Sequence, residues 1–151
     1  DFSFPKTEEE IATELLTVEE KKESNIELSD GQEQETITVQ PIKSTVSFDD
    51  FSNLDLRVCE IVKCQEIRKS HNCYKLTVND GIGQRVIVSS IKNDYQPEQL
   101  VGKKIVVLVN LEPTRITGVT SEGMLLATSA DSGRCRVVFV DNHVPVGSTV
   151  Y

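Results

Sequence analysis

The sequence predicts an all-β domain over its last hundred residues, on three observations. Six short runs rich in Val, Ile, Leu and Thr follow one another after Phe48, at 54–67, 74–79, 85–91, 104–109, 124–130 and 136–140. Turn signals stand between them: Asp80-Gly81-Ile82-Gly83, Gly102, Gly118 and Asp131-Ser132-Gly133. The 151 residues are 38% hydrophobic and 5% aromatic with no Trp, enough for one modest core and thin for two; the usual domain is about 100–200 residues long. Short strands parted by turns at such intervals build a small antiparallel barrel or sandwich. Five or so strands plus one helical turn match the five-stranded Greek-key barrel called the OB-fold, one candidate among a few small β folds.

The elements follow in order. Thr7 and Glu10 form a capping-box pattern ahead of Ile11, Leu15 and Val18, which predicts a helix over 8–22 within an N-terminal arm, residues 1–22. A lone helix of about four turns is marginal in water, so this one must dock on something. Residues 23–46 are polar and acidic, carry Asp30-Gly31 and Pro41, and are expected to be a linker. The domain proper is expected over 47–151. Within it Asp80–Gly83, between two β-prone runs, predicts a hairpin. Pro97 to Leu100 predicts a single helical turn between the third and fourth strands.

The net charge of −8 divides unevenly along the chain. Residues 1–50 hold four basic against fourteen acidic side chains, net −10; residues 51–151 hold twelve against ten, net +2. An acidic arm therefore precedes a slightly basic body, and the body permits a polyanionic partner that the whole-chain charge would argue against. No apolar run approaches the roughly 20 residues a membrane span needs. The start at Asp1-Phe2-Ser3, with no Met and no basic-then-apolar leader, reads as a piece of a longer chain without a signal peptide. Cys59, Cys64, Cys73 and Cys135 show no C-x-x-C pair and no His at ligand spacing, so reduced thiols in a cytoplasmic protein are expected, with no metal. No phosphate loop, nucleophile elbow or zinc-protease motif occurs, and His71 and His143 sit in turn-like contexts. No catalytic residue and no cofactor is expected.

Residues 110–127, NLEPTRITGVTSEGMLLA, pack polar groups between two apolar strands more densely than a connector needs. With FDDFSNLDLRV (48–58), YKL (74–76), RVIVSSI (85–91), YQPEQLVGK (95–103) and VPVG (144–147), this stretch closely resembles the tRNA-binding domain found at the C-terminus of methionyl-tRNA synthetases. The same domain occurs in free-standing tRNA-binding proteins and in phenylalanyl-tRNA synthetase β chains. Phe2-Ser3-Phe4-Pro5-Lys6 is similar to a segment that ends the body of bacterial-style methionyl enzymes, which tilts the resemblance toward such an enzyme's tail. The resemblance implies an OB-fold domain that binds tRNA, carries out no reaction itself and pairs as a homodimer through its C-terminal and β4–β5 regions. A protein-interaction module, like the export-chaperone relatives of the fold, is the alternative it leaves.

The same resemblance implies an RNA-binding set of Arg57, Lys75, Arg85, Ser89, Asn110, Arg115, Ser121 and Met124. RNA is held by cations on phosphates and by polar or stacking contacts to sugar and base. Lys75, Arg85 and Arg115 come from three segments that a barrel can bring to one face, with Ser89, Asn110 and Ser121 as neutral hydrogen-bonding groups and Met124 as a polarizable surface. Other readings stand beside these. Arg57 can pair with Asp55 or Glu60, Lys75 and Arg85 can be plain strand residues, Asn110 and Ser121 can serve turn backbone, and Met124 can be core. Glu122 is expected to bond backbone or a cation. The family's His-Pro-x-Ala-Asp-Lys-Leu pattern is replaced here by Ser70-His71-Asn72-Cys73-Tyr74-Lys75-Leu76, Ser90 replaces a common Gly, and Ile116-Thr117 stand where a Lys often follows Arg115. With so few cations, a shallow salt dependence of about two to four phosphate contacts is expected.

Overall fold

The computed structural model describes residues 35–151. The helix expected over 8–22 and the linker residues 23–34 lie outside them. The compact unit runs Thr36–Tyr151 and so takes in residues 36–46. That stretch is extended and exposed. It is tied at one end, where Thr36 O accepts from the Asp131 amide at 3.0 Å, and the Thr38 amide and hydroxyl donate to the Asp131 carboxylate at 3.0 and 2.8 Å.

A single-turn helix opens the ordered elements: α1 (Phe48–Ser52), whose Ser47 side chain accepts from the Asp50 amide. Then come β1 (Leu56–Glu66), β2 (Tyr74–Asn79), β3 (Gln84–Ser89), α2 (Pro97–Leu100) and β4 (Lys104–Leu108). Six short strands complete the chain: β5 (Thr114–Ile116), β6 (Val119–Ser121), β7 (Met124–Leu125), β8 (Ala127–Ser129), β9 (Cys135–Val137) and β10 (Phe139–Val140). The hairpin expected at Asp80–Gly83 and the helical turn expected at Pro97–Leu100 are both present.

The strands wrap into a nearly closed antiparallel barrel, as the sequence predicts. β1 is long enough to serve two neighbours: Leu56–Glu60 pair with β4, and Glu60–Glu66 pair with β2. Register shifts between Ile61 and Lys63, so Val62 is an extra residue that bends the strand. β2 continues to β3, and β7 lies on β4 with Val107 opposite Leu125. The remaining gap, between β3 and the segment entering β7, is closed by Ser121 and Glu122. The Glu122 amide donates to Val86 O at 2.8 Å, and the Val88 amide donates to the Ser121 hydroxyl at 3.0 Å.

Alternation along each strand fills the interior. Tyr74, Leu76 and Val78 of β2 point inward and are buried, as are Ile87, Ile105, Val107, Cys59 and Ile61. Leu100 of α2 is fully buried, and the Tyr74 hydroxyl donates to Tyr95 O at 2.8 Å, which leaves no buried side-chain polar atom unsatisfied among the described residues. The bulge at Val62 is what keeps Cys64 inside; both β1 thiols are pushed up to about 11 by burial, as expected of small apolar side chains rather than reactive ones. None of the four cysteines is in a disulfide.

One glycine is required at the seam. Gly123 has φ 144°, and a Cβ there would sit 2.7 Å from Leu108 O and 3.2 Å from Ile87 and Val107 side-chain carbons. Neither the backbone oxygen nor the core can yield. Gly123→Ala is therefore expected to lower stability by about 2–4 kcal/mol, strain and overpacking together, in a urea or thermal unfolding measurement. Gly83→Ala, where a Cβ meets nothing within 4 Å, is the matched control and should change little.

Candidate nucleic-acid interface

The outer surface of β2 and β3 gathers the first candidate group. Residues directly opposite on neighbouring strands share a face, so Lys75 points outward beside Val88. Val88 is nonetheless buried, because it forms a small second apolar cluster with Ile67 and Cys73 from the β1–β2 turn. Ile116 and Val119 pack on the same cluster from the β5–β6 hairpin. That hairpin turns through Thr117 (φ 49°) and Gly118 (φ 84°), the two left-handed residues a tight two-residue loop requires. Since Ile116 and Val119 face the barrel, alternation sends Arg115 and its partner Thr120 to the other face, into solvent.

Lys75 and Arg115 thus stand on two elements joined by one apolar cluster, and neither is held by an ion pair or hydrogen bond among the described residues. The expected third cation is elsewhere. Arg85 lies opposite the inward-facing Val78, at the far end of β3 from the loop leading to α2. Its Nε donates to Asp80 Oδ2 at 2.8 Å, and its Nη1 donates to Val109 O at 3.0 Å and Glu122 O at 2.6 Å. Asp80 also accepts from the Ile82 and Gly83 amides, each at 2.8 Å. Burial by itself pushes the Asp80 carboxyl up, but the Arg85 guanidinium and the two amides outweigh it and hold it at about 2.

The other expected residues divide in the same way. Ser121 is buried; its hydroxyl accepts from Val88 N and donates to Gly123 O at 3.0 Å, so its hydrogen bonds close the barrel. Glu122 bonds backbone, its carboxylate accepting from the Val86 amide at 3.4 Å. Arg57 clasps Asp55 through Nε and Nη2 at 2.8 and 3.0 Å, and the hydrogen bond from Arg57 holds the Asp55 carboxyl below its ordinary range. Asn110 is exposed, yet its amide accepts from Asp55 N at 2.9 Å and donates to Asn53 O at 2.7 Å. Arg57 and Asn110 belong to a second region, a groove also lined by Phe48, Phe51, Leu54 and Tyr151. Ser89 pairs with Tyr74 at the inner end of β3 and is half-buried. Met124, although followed by two leucines, is 48% exposed because Leu125 takes the inward position.

Sequence reasoning passed over Lys63, Arg68 and Lys69, all exposed. Lys63 lies opposite Thr77, next along the row from Lys75; only the Val62 bulge, invisible in the apolar pattern, turns it outward. Arg68 and Lys69 follow Ile67 in the turn whose backbone Ser70 organises by accepting from the Asn72 and Cys73 amides. The Arg-Lys pair was a legible signal. Among the described residues no group of His, Cys, Asp and Glu is placed to hold a metal ion, and no helix is long and apolar enough to cross a membrane.

Residues 56–149 match the family described as "Putative tRNA binding domain", and the chain belongs to that family. It is 34% identical over 137 residues to a methionine–tRNA ligase of Bacteroides fragilis, covering 91% of this chain and 20% of that protein. To the methionine–tRNA ligase of Methanocaldococcus jannaschii it is 47% identical over 97 residues, 64% of this chain and 15% of the other. The chain thus spans about a fifth of the length of these curated relatives. Among solved structures it resembles a methionyl-tRNA-synthetase-related protein from Pyrococcus horikoshii, at TM-score 0.69 and 33% identity over 72% of this chain and all of that one. The chaperone CsaA of Bacillus anthracis gives TM-score 0.65 and 28% identity, with 72% and 100% covered.

The Asp80 site sets a pH dependence. Its carboxyl binds protons more weakly folded, at about 2, than unfolded, at 3.8, so stability is fully present above about pH 5. It should fall by about 2 kcal/mol as pH drops from about 5 to below 2. Urea unfolding of the parent and of Asp80→Asn across that range checks it; the variant is less stable at pH 7, and this component of the acid-side loss should vanish.

Proposed function

We propose that this chain binds tRNA through the outer face of β2 and β3 and the β5–β6 hairpin, as the tRNA-binding appendix of a methionyl-tRNA synthetase in the cytoplasm. The observation that carries the reading is the family match across 56–149 together with two cations, Lys75 and Arg115, that are unpaired among the described residues and set on elements that share one apolar cluster. In an OB-fold the strand 2–3 face and its flanking loops are where oligonucleotides lie. Lys75 and Arg115 contact phosphates; Ser89, opposite the inward-facing Tyr74, and Met124, paired with β4, are given no contact on this face. Arg57, Arg85, Asn110 and Ser121 act by keeping the barrel and its edge in shape, since their polar groups are engaged within the fold.

No bond is made or broken at such a site. Its contribution is to retain tRNA near a catalytic body, where joining two weak sites raises avidity by roughly 10²–10⁴ provided the linker spans them. A second reading, a protein-interaction or homodimerisation module, is favoured by the mixed polar and apolar groove beside the C-terminal segment, in which Phe48, Phe51, Leu54 and Tyr151 are exposed, and by the likeness to a chaperone. Pairing through the C-terminal region and retention of tRNA are compatible in one molecule.

Gel-shift titration of tRNA tests the proposal. Lys75→Ala and Arg115→Ala are each expected to weaken binding about two- to fivefold while leaving thermal unfolding unchanged, and each should reduce the slope of log K against log salt by about 0.7–0.9. Parent-like binding by both variants removes the reading. Sedimentation at low salt with and without tRNA addresses the other: a dimer that ignores tRNA supports an interaction module alone.

A further inference from the structure

We infer that the RNA face extends over the β1–β2 turn and the outer row of β1, with Arg68, Lys69 and Lys63 as further phosphate-binding residues, and that this turn and the β5–β6 hairpin act as one two-sided clamp about Lys75. The inference rests on the tRNA reading above and adds residues from two elements that it did not include.

Three observations lead there. The second apolar cluster is built from both sides: Ile67 and Cys73 from the turn, Ile116 and Val119 from the hairpin, with Val88 of β3 between them. Residues Ile67 and Ile116 each directly precede or follow a cation, Arg68 in one case and Arg115 in the other. Packing that cluster therefore fixes the spacing between two cationic elements, which separate mobile loops could not maintain. Next, Lys63 and Gln65 lie opposite Thr77 and Lys75, so the row of outward side chains continues from β2 onto β1. The extra residue at Val62 makes this possible, and bulges beside binding sites commonly serve to re-aim a side chain. Finally, Lys63, Arg68 and Lys69 hold no ion pair or hydrogen bond among the described residues. Glu66, which lies opposite the inward-facing Tyr74 and so off this row, is paired with Lys92 at 3.4 Å; the carboxylate on the row itself is Glu60, opposite Asn79 at its far end from the turn.

A polyphosphate backbone is the chemistry that such a set recognises: cations on two rims of an apolar floor, with the row's carboxylate, Glu60, at the end away from the turn and the hairpin. Five contacts replace the two to four that the sequence suggests, so the salt dependence should be correspondingly steeper.

The test uses the full chain and unmodified tRNA. Lys63→Ala and the double variant Arg68→Ala/Lys69→Ala are titrated beside Lys75→Ala, with Lys103→Ala, an exposed cation before β4, as the control for general charge. The expected result is a slope reduced by about 0.7–0.9 for the single variant and about 1.4–1.8 for the double, against no change for Lys103→Ala. Lys63, Arg68, Lys69 and Lys103 are exposed, and the half-buried Lys75 has no polar partner among the described residues, so unfolding curves should coincide with the parent's. If Lys75→Ala weakens binding but Lys63→Ala and the double variant do not, the extension is wrong and the tRNA reading stands. If all variants, Lys103→Ala included, lose equally, binding is general attraction and the extension is again overturned. If none changes binding, both fall.

Discussion

The barrel is held shut by a short seam rather than a full ladder, and the seam depends on Arg85. β3 meets the segment entering β7 through Ser121 and Glu122, a serine hydroxyl and one backbone amide among its few bonds. Arg85 reinforces this from the end of the barrel by donating to the carbonyls of Val109 and Glu122, which flank the excursion that carries the β5–β6 hairpin. Asp80 holds the guanidinium in place and is itself fixed by the turn amides it accepts. Removing one member of a partly buried charge pair leaves the other unsatisfied, which costs more than the pair contributes when intact. The ion pair therefore helps to position the hairpin without touching the cation it presents, Arg115.

This division of labour explains why a basic residue in a binding motif need not touch ligand. Arg85 sits in RVIVSSI on the strand that neighbours Lys75, three residues before Lys75's partner Val88, so strand alternation sends it to the other face. Lys75 pairs with Val88 on the outer face; Arg85 pairs with Val78 on the inner one. A guanidinium whose Nε and Nη1 already donate to three oxygens cannot give up those partners for a phosphate without opening the seam. Arg57 and Asn110 follow the same logic around Asp55.

The fold was largely legible because its signals are local. Apolar alternation and β-branched content placed β1 to β4, and Asp80-Gly81 and Pro97 placed the hairpin and the helical turn at their observed positions. What stayed hidden was non-local. NLEPTRITGVTSEG shows no alternating apolar run, and the β5–β6 hairpin within it is stabilised by burial of Ile116 and Val119 on a distant valine. The bulge at Val62 leaves no mark in composition, so Lys63 could not be assigned a face. Met124 looked like core from its neighbours, and a single position of register made it surface. Ser121 and Asn110 were the reverse: their residue types fit either turn backbone or ligand, and only coordinates show which groups are already engaged.

Two apolar clusters, of unequal size, then account for how one small β domain separates stability from binding. The larger, around Ile61, Leu76, Ile87 and Ile105, closes the interior and is indifferent to what lies outside. The smaller, around Val88, lies on the outer face and buries only a few side chains, so at about 25 cal/mol per Å² it can add little to global stability. Its effect is geometric. By packing two connecting segments on the same valine it restricts the cations they carry without requiring those cations to be buried. Under the proposed reading, a polyanion would meet cations whose spacing is set by a cluster that contributes little to global stability.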